Sequence, residues 1–341
     1  MVIDMQVNVV TKTSWPSFRN VATEIRGVFV SNGHECRVND WSEAEPGGKI
    51  LFIGTLDNRT LQFLDHLSYG SDLVYYVTTE GLSQLEDSCI RTAGRLKLVA
   101  VSEFVKHMVG ESGITVAGTV HHGINMGARG VDVEFKEECL SRVRNQSRVI
   151  LTVSANHQRK GLDRLLTAYH ILEQRVPDAF LLLHSQREGY YDLRGLAETL
   201  GIRNVWLTES FGEISQSQLN SLYDLCSAYV QPSFSEGFGL PILEAFRFDK
   251  PPIAVDAPPF NEIIKHRENG LLIPQRDVSW FNFKDSIRFK MHTYAEEDLA
   301  RTMEVALLDR NLATEMHGKI KSGKSSWDSQ LLYPKLLNYF N

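Results

Sequence analysis

The sequence is poor in the devices that hold small secreted or metal-built folds together. Its 341 residues include only four cysteines, Cys36, Cys89, Cys139 and Cys226. They lie far apart, without a Cys-x-x-Cys pair or a histidine cluster at zinc spacing. A dense disulfide framework is therefore excluded, and the four read as buried free thiols, a single bridge between distant sites staying open. No run of about 18 apolar residues is present, so no segment reads as a spanning helix. Basic charge is not in excess either: 36 Lys and Arg face 42 Asp and Glu, a net charge of -6. Such a balance argues against nucleic acid as the main partner. The opening residues, Met1-Val2-Ile3-Asp4-Met5-Gln6, lack the charged-then-apolar layout of a secretory signal, and the expectation is a cytoplasmic protein. EF-hand, Walker and His-Glu-x-x-His patterns are missing, as is a Gly-x-Gly-x-x-Gly after an early strand, which disfavours a dinucleotide-dependent dehydrogenase.

What is present is globular: 43% hydrophobic and 23% charged residues, in a chain long enough for two cores. Short apolar runs alternate with amphipathic stretches. Strands are expected at Gln6–Val10, Glu35–Asn39, Lys49–Ile53, Leu73–Val77, Leu96–Val101 and Val116–Val120. Helices at Phe18–Asn32, Asn58–Leu67, Ser83–Ala93 and Glu103–Ser112 separate them. Strands spaced by helices predict crossover units and a parallel sheet covered on both faces. The pattern weakens through Asn125-Met126-Gly127-Ala128-Arg129-Gly130, passes a charged helix at Glu134–Arg144, and restarts at Val149–Val153. Leu162, Leu165, Leu166, Tyr169 and Leu172 then share one helical face, a core stripe. From about Trp280 onward the chain reads as helical. The division expected is 1–125, 126–324 and a terminal segment 325–341.

One stretch carries chemistry: Pro232-Ser233-Phe234-Ser235-Glu236-Gly237-Phe238-Gly239-Leu240-Pro241-Ile242-Leu243-Glu244-Ala245. It follows a predicted strand and opens a predicted helix. Pro241 fits a first helical turn, where amides have no intrahelical acceptor. Gly237 and Gly239 permit close backbone approach, and the helix amides beyond them form a seat for a phosphate or diphosphate. Strand carboxyl ends are where open α/β sheets bind ligands. Glu236 and Glu244 lie at different heights and reach different parts of one ligand, each carboxylate accepting hydrogen bonds as vicinal ribose or sugar hydroxyls offer them. The plainer alternative makes Glu236 a helix cap and Glu244 a solvated side chain. Arg159-Lys160-Gly161 follows another strand end, where two cations would neutralise a diphosphate and stabilise it on departure; the alternative is a solvated basic pair.

With its Glu-x7-Glu spacing after Pro232-Ser233, this stretch resembles the retaining glycosyltransferases of family 4, which have the GT-B fold. The resemblance extends to Arg159-Lys160-Gly161, Asn261-Glu262 and Asn269-Gly270-Leu271-Leu272-Ile273-Pro274, and more thinly to Gly33-His34-Glu35, Val101-Ser102-Glu103-Phe104 and His122-Gly123. It implies an α/β protein of two Rossmann-like parallel-sheet domains facing a cleft, with a C-terminal helix, Ser326 through Phe340, crossing back to the first domain on Trp327 and Tyr333. It further implies that Glu244 binds ribose hydroxyls and Glu236 the transferred sugar. Gly237, Phe238, Gly239 and Leu240 would approach the phosphates, Arg159 and Lys160 would hold the diphosphate, and the loop beginning Thr208-Glu209-Ser210 would line the base. The implied partners are a nucleotide-diphosphate sugar and an acceptor of unassigned class (glycan, lipid or small molecule), with peripheral membrane contact open. No cofactor or metal is implied. The chain departs from the family at Ser154-Ala155-Asn156, where Gly-Arg-Leu is common, and at Thr78-Thr79-Glu80-Gly81, where many members place a histidine. Glu80 thereby becomes a candidate acceptor contact or base, against a capping or surface role. A nucleotide-sugar-binding protein without transfer activity, and a phosphorylase or epimerase of similar fold, stand as the other readings.

Overall fold

A computed structural model describes residues 5–144, 148–283 and 286–341; the expectation for 1–4 lies outside them. The first sheet is built from β1 (Gln6–Thr11), α1 (Pro16–Ser31), β2 (Glu35–Asp40), β3 (Gly48–Thr55), α2 (Asn58–Leu67) and β4 (Ser71–Thr78). It continues past the short strand β5 (Gly81–Ser83) and α3 (Asp87–Ala93) with β6 (Lys97–Ala100), α4 (Glu103–Glu111) and β7 (Gly118–Thr119). Its order is β2-β1-β3-β4-β6-β7, all parallel. Ile50, Leu51, Phe52 and Ile53 are all buried, the unbroken apolar run required of a strand covered on both faces.

The second sheet repeats the plan. After α5 (Val133–Arg142) come β8 (Arg148–Val153), α6 (Leu162–Arg175), β9 (Ala179–His184), α7 (Leu193–Thr199) and β10 (Val205–Leu207). Then follow α8 (Gln216–Leu225), β11 (Ala228–Val230), α9 (Leu240–Arg247), β12 (Pro252–Val255), α10 (Phe260–Ile263) and β13 (Leu271–Ile273). The order β10-β9-β8-β11-β12-β13 reverses direction between β8 and β11, and the first sheet reverses in the same way between β1 and β3. At such a point neighbouring crossovers leave on opposite faces, and their parting loops open a crevice at the strand carboxyl ends. The expected stripe on α6 is buried throughout.

Four expectations need correction. The region from Trp280 is not helical throughout: β14 (Val278–Phe283) and β15 (Ile287–His292) form an antiparallel pair before α11 (Glu296–Leu308) and α12 (Arg310–Gly323). Val-Ser-Trp-Phe-Asn-Phe and Ile-Arg-Phe-Lys-Met-His alternate at the strand period of two, which overrides any helical reading; 284–285 lie outside the described residues. The helix expected at Ser83–Ala93 begins only at Asp87, because Gly81–Ser83 joins a sheet. The strand at Val116–Val120 shrinks to two residues at the sheet edge. The terminal segment is not one helix but short 3-10 turns around α13 (Ser329–Leu332). It does cross back: Ser329 donates to Glu24 at 2.6 Å, Lys97 donates to the Tyr339 carbonyl at 3.0 Å, and Tyr333 is fully buried.

The unexpected pair β14 and β15 does more than decorate the second domain. β5, from the first domain, adds to β15 as a third antiparallel strand, so a small sheet is shared across the cleft. A Cβ on Gly81 would overlap the Arg288 carbonyl. Gly81→Ala is therefore expected to lose about 1–3 kcal/mol of stability by overpacking, while Gly110→Ala, with open space around it, gains a few tenths or stays neutral. Denaturant unfolding of the two variants checks this; equal effects would contradict a tight seam.

Candidate active site

The loops leaving β8 and β11 flank the switch point of the second sheet, and they carry the two motifs singled out above. Arg159 and Lys160 sit on a 3-10 turn, Gln158–Lys160, just before α6. Glu236 sits in the loop before α9. The structure brings all three together. Lys160 Nζ donates to Glu236 Oε1 at 2.5 Å and Arg159 Nη1 to Glu236 Oε2 at 2.7 Å. Ser233 donates to Oε1 at 2.8 Å, and Gln231 at 3.1 Å. Burial works to raise the Glu236 carboxyl, but Lys160 and Arg159 outweigh it and hold the group at about 2 against an ordinary 4.5. Burial and the Arg159 charge lower the Lys160 pKa, with the Glu236 carboxylate at 2.5 Å opposing the shift. Neither plain alternative fits: the N-cap of α9 is Gly239, not Glu236, and the basic pair is half-buried and ion-paired to Glu236 rather than solvated.

Glu80 completes the cluster from the other domain. Arg159 Nη2 donates to Glu80 Oε1 at 2.8 Å, and Ser235 Oγ donates to the Glu80 carbonyl at 2.6 Å. Arg159 also donates to the Ser235 carbonyl at 2.8 Å, so three of its five N–H groups go to two carboxylates and a backbone oxygen. Burial lowers the Arg159 pKa, and Glu80 and Glu236 more than offset it, leaving the group raised.

The glycine corner is tight for a physical reason. A Cβ on Gly237 would overlap the Thr78 hydroxyl of the first domain, and Gly239 has φ 115°, open to few other residues. Ser102 donates to the Gly237 carbonyl at 2.7 Å. The Phe238 side chain is buried against His121, His122 and Trp327, anchoring the corner where domains and terminal segment meet. Leu240 opens α9, whose first turn holds no acidic residue and no side-chain cap; Pro241 has no N–H and the Ile242 amide donates to the Gly239 carbonyl at 3.0 Å, so the Leu240 amide is the one left to an anion.

Glu244, one turn further on, is half-buried. Tyr223 donates to its Oε2 at 2.7 Å. Burial raises its carboxyl above the ordinary value despite that bond. Thr208 contacts His184 Nδ1 at 2.8 Å, Glu209 pairs with Arg194 at 2.9 Å, and Ser210 bridges to Gln186. Burial lowers His184 to about 4, so it is neutral. These residues border a cavity of about 370 Å³ at the ends of β9 and β10, lined by Tyr191, Arg194 and Glu209 among others. Asn156 ties it to the basic loop by accepting from the Tyr191 amide at 3.0 Å and donating to its carbonyl at 2.7 Å. The donor-side residues thus form two adjoining compartments rather than one.

Sequence reasoning gave no site role to Gln231, Ser233, Tyr223 and Glu262, although Ser233 and Glu262 fall within the motifs that carry the resemblance. The first two flank Pro232 immediately after β11, and their polar character at a strand end was the available signal. Glu262 reaches across the cleft to accept from the amides of Glu103 and Phe104 at 2.9 and 2.8 Å and contacts His121 at 3.0 Å; nothing in its local sequence marks it as the cap of a helix in another domain. Among the described residues, no group of three His, Cys, Asp or Glu side chains is placed to hold a metal ion, and no helix is long and apolar enough to cross a membrane. All four cysteines are free and buried.

The family model for glycosyl transferases group 1 matches residues 140–302, the segment that holds both basic and acidic motifs. An uncharacterized glycosyltransferase of Sulfolobus islandicus rod-shaped virus 1 is 24% identical over 339 residues, 95% of this chain and 97% of that protein. The serotype-specific mannosyltransferase WbdA of Escherichia coli is 28% identical over 205 residues, 57% of this chain, but this match spans only 22% of WbdA. Among solved structures, HepE of Anabaena in complex with UDP-glucose superposes with a TM-score of 0.74 at 14% identity, covering 98% of both chains. A glycosyltransferase from Rickettsia africae gives 0.75 at 15%, again covering 98% of both. The fold is therefore GT-B, two Rossmann-like domains across a cleft, and the matched second domain supports a glycosyltransferase of that architecture.

The cluster makes stability pH-dependent in a definite direction. A carboxyl whose folded pKa lies below its unfolded value contributes stability above the unfolded pKa and loses it as pH falls through the folded one. For Glu236 that window runs from about 4.5 down to about 2. Glu236→Gln, which strands two buried cations, is expected to lose about 3 kcal/mol at neutral pH. Its stability should then fall less steeply than that of the wild type across the acid window. Urea unfolding at stepped pH checks this, and parallel slopes would contradict it.

Proposed function

We propose that this chain is a retaining glycosyltransferase that moves a sugar from a nucleotide-diphosphate sugar to an acceptor hydroxyl. The observation that carries the reading is the convergence of Lys160, Arg159 and Glu236 beside the uncapped start of α9, at the switch point of the second sheet. Further support comes from the group 1 match and from solved neighbours described as complexes with UDP and UDP-glucose.

In this reading the base lies in the cavity at the ends of β9 and β10, and the free oxygen of Glu244 takes a ribose hydroxyl while Tyr223 holds the other. The diphosphate lies against Lys160 and the amides of the Gly239-Leu240 turn. Lys160 spends one of three N–H groups on Glu236 and has two to give. Departure of the diphosphate develops negative charge where those donors are already fixed, which lowers the barrier without reorganisation. Glu236 orients the transferred sugar. With four donors on its carboxylate it is a poor nucleophile, which favours a same-face displacement in which the departing phosphate oxygen takes the acceptor proton. The cleft seam, β5 on β15 and Gly237 on Thr78, excludes water from the reacting centre. The group needs no metal in this scheme, its charges being met by Lys160 and backbone dipoles.

Glu80 occupies the guanidinium face of Arg159 that points across the cleft, a position that suits a phosphate oxygen equally well. We assign it the role of an internal competitor rather than of acceptor base. Isothermal titration with UDP and turnover of the sugar donor test these roles. Lys160→Ala is expected to lower kcat at least 100-fold, and Glu244→Ala to weaken nucleotide binding about tenfold. Glu80→Gln is expected to tighten UDP binding severalfold while transfer falls less than tenfold. Unchanged turnover in Lys160→Ala would sink the proposal, and a 100-fold loss in Glu80→Gln would restore the base role.

A further inference from the structure

The first sheet has a switch point of its own, between β1 and β3, and the loops that leave those strands carry two cations unused by the chemistry above. Lys12 directly follows β1 and Arg59 lies in the first turn of α2, just after β3. Both converge on one indole: Lys12 Nζ lies 5.6 Å and the Arg59 guanidinium carbon 5.2 Å from the ring centre of Trp41. Lys12 also lies 4.7 Å from the ring of Trp15, which stacks on Phe18 at 5.5 Å and is 44% exposed. Aromatic faces of this kind hold a cation in place while leaving its N–H groups free.

Neither cation has a carboxylate partner among the described residues, although two acids stand nearby. Asp40 is taken up by the amide and hydroxyl of Thr13 and of Ser42. Asp57 accepts from the Thr60 amide and the Thr55 hydroxyl. The first turn of α1 between them adds no acidic residue. Two cations without a carboxylate partner, both against one indole at a sheet switch point, have the charge and the donors to receive an anion. Its place in the molecule says which ligand. The other half of this sheet edge, at the ends of β4 and β6, is closed by Gly237, Arg159 and Glu262 of the second domain. The half carrying Lys12 and Arg59 is not held in this way, and beside it Pro16 approaches Gly212 in the base-side loop.

We infer that the acceptor carries a phosphate group, and that Lys12 and Arg59 receive it at the first sheet's switch point. The fork of Arg59 and the point charge of Lys12 together match a tetrahedral dianion or diester better than a single carboxylate, and the Trp15 and Trp41 rings offer apolar walls to the adjoining part of the acceptor. This rests on the glycosyltransferase reading for the word acceptor; the phosphate site itself does not.

The test is direct binding without donor, so that the two readings fail separately. Glucose 6-phosphate and glucose are titrated calorimetrically against the wild type, and vesicles of phosphatidylinositol and of phosphatidylcholine are tested by co-flotation. The phosphate-bearing member of at least one pair is expected to bind at least tenfold more tightly than its neutral or zwitterionic counterpart, and the responding pair identifies a soluble or a lipid acceptor. Lys12→Met with Arg59→Met, and independently Lys12→Gln with Arg59→Gln, are expected to abolish that preference at least tenfold while UDP binding stays at the wild-type value, which also reports an intact fold. Equal binding within both pairs, no binding of either phosphate-bearing probe, or full retention by both double variants would overturn the inference. Failure of the wild type to bind UDP would count against the transferase reading alone.

Discussion

Everything in the cleft hangs on a buried run of alternating charge: Glu80, Arg159, Glu236 and Lys160. Isolated in a low-dielectric interior each of these groups would be costly, and it is their mutual geometry that makes burial tolerable. The run crosses the domain boundary, since Glu80 comes from the first domain and the other three from the second. It therefore does two things at once. It fixes the rotamers of the side chains that face the donor, and it biases the two domains toward the closed arrangement in which β5 pairs with β15. A diphosphate bound there, as proposed, would change the charge balance of the same cluster and so tie ligand binding to the relation between the domains by simple electrostatics.

The duplication of one topological device explains where the two halves of the reaction would sit. Each sheet reverses its strand order once, and each reversal opens a crevice at the strand carboxyl ends. In the second sheet that crevice carries Arg159, Lys160 and the glycine corner; in the first it carries Lys12, Trp15, Trp41 and Arg59. Because the domains face one another edge to edge, half of the first sheet's edge is spent on closing against the donor loop and half is left for another molecule. The division between closed and open halves falls between β3 and β4, and it follows from which loops meet Gly237 and Glu262.

Much of this was legible in the sequence, for physical reasons that can be named. Parallel strands buried on both faces must be unbroken apolar runs, and Ile50–Ile53 and Leu73–Val77 read as such. A Pro inside a first turn after two glycines marks a helix start at a close approach, so the corner and its acids are legible in the sequence. What escaped was whatever depends on partners distant in the chain. Glu80 reads from sequence as an acceptor contact or base, or else as a capping or surface carboxylate, because its partner Arg159 is 79 residues away. Val278–His292 was absorbed into the helical tail because aromatic residues suit either element, and only the period of two, together with an edge strand from the other domain, decides for a sheet. The role of Glu262 as a cap for α4 has no local signal at all.

The account stands on the claim that Lys160 and the start of α9 receive a diphosphate beside an ion-paired Glu236. A crystal structure of the protein soaked with UDP addresses it most directly. The account predicts phosphate oxygens at hydrogen-bond distance from Lys160 Nζ and from a backbone amide of the Gly239-Leu240 turn, with the ribose hydroxyls on Glu244. A nucleotide bound elsewhere, with Lys160 still engaged by Glu236 alone and Glu244 still facing only Tyr223, would contradict it.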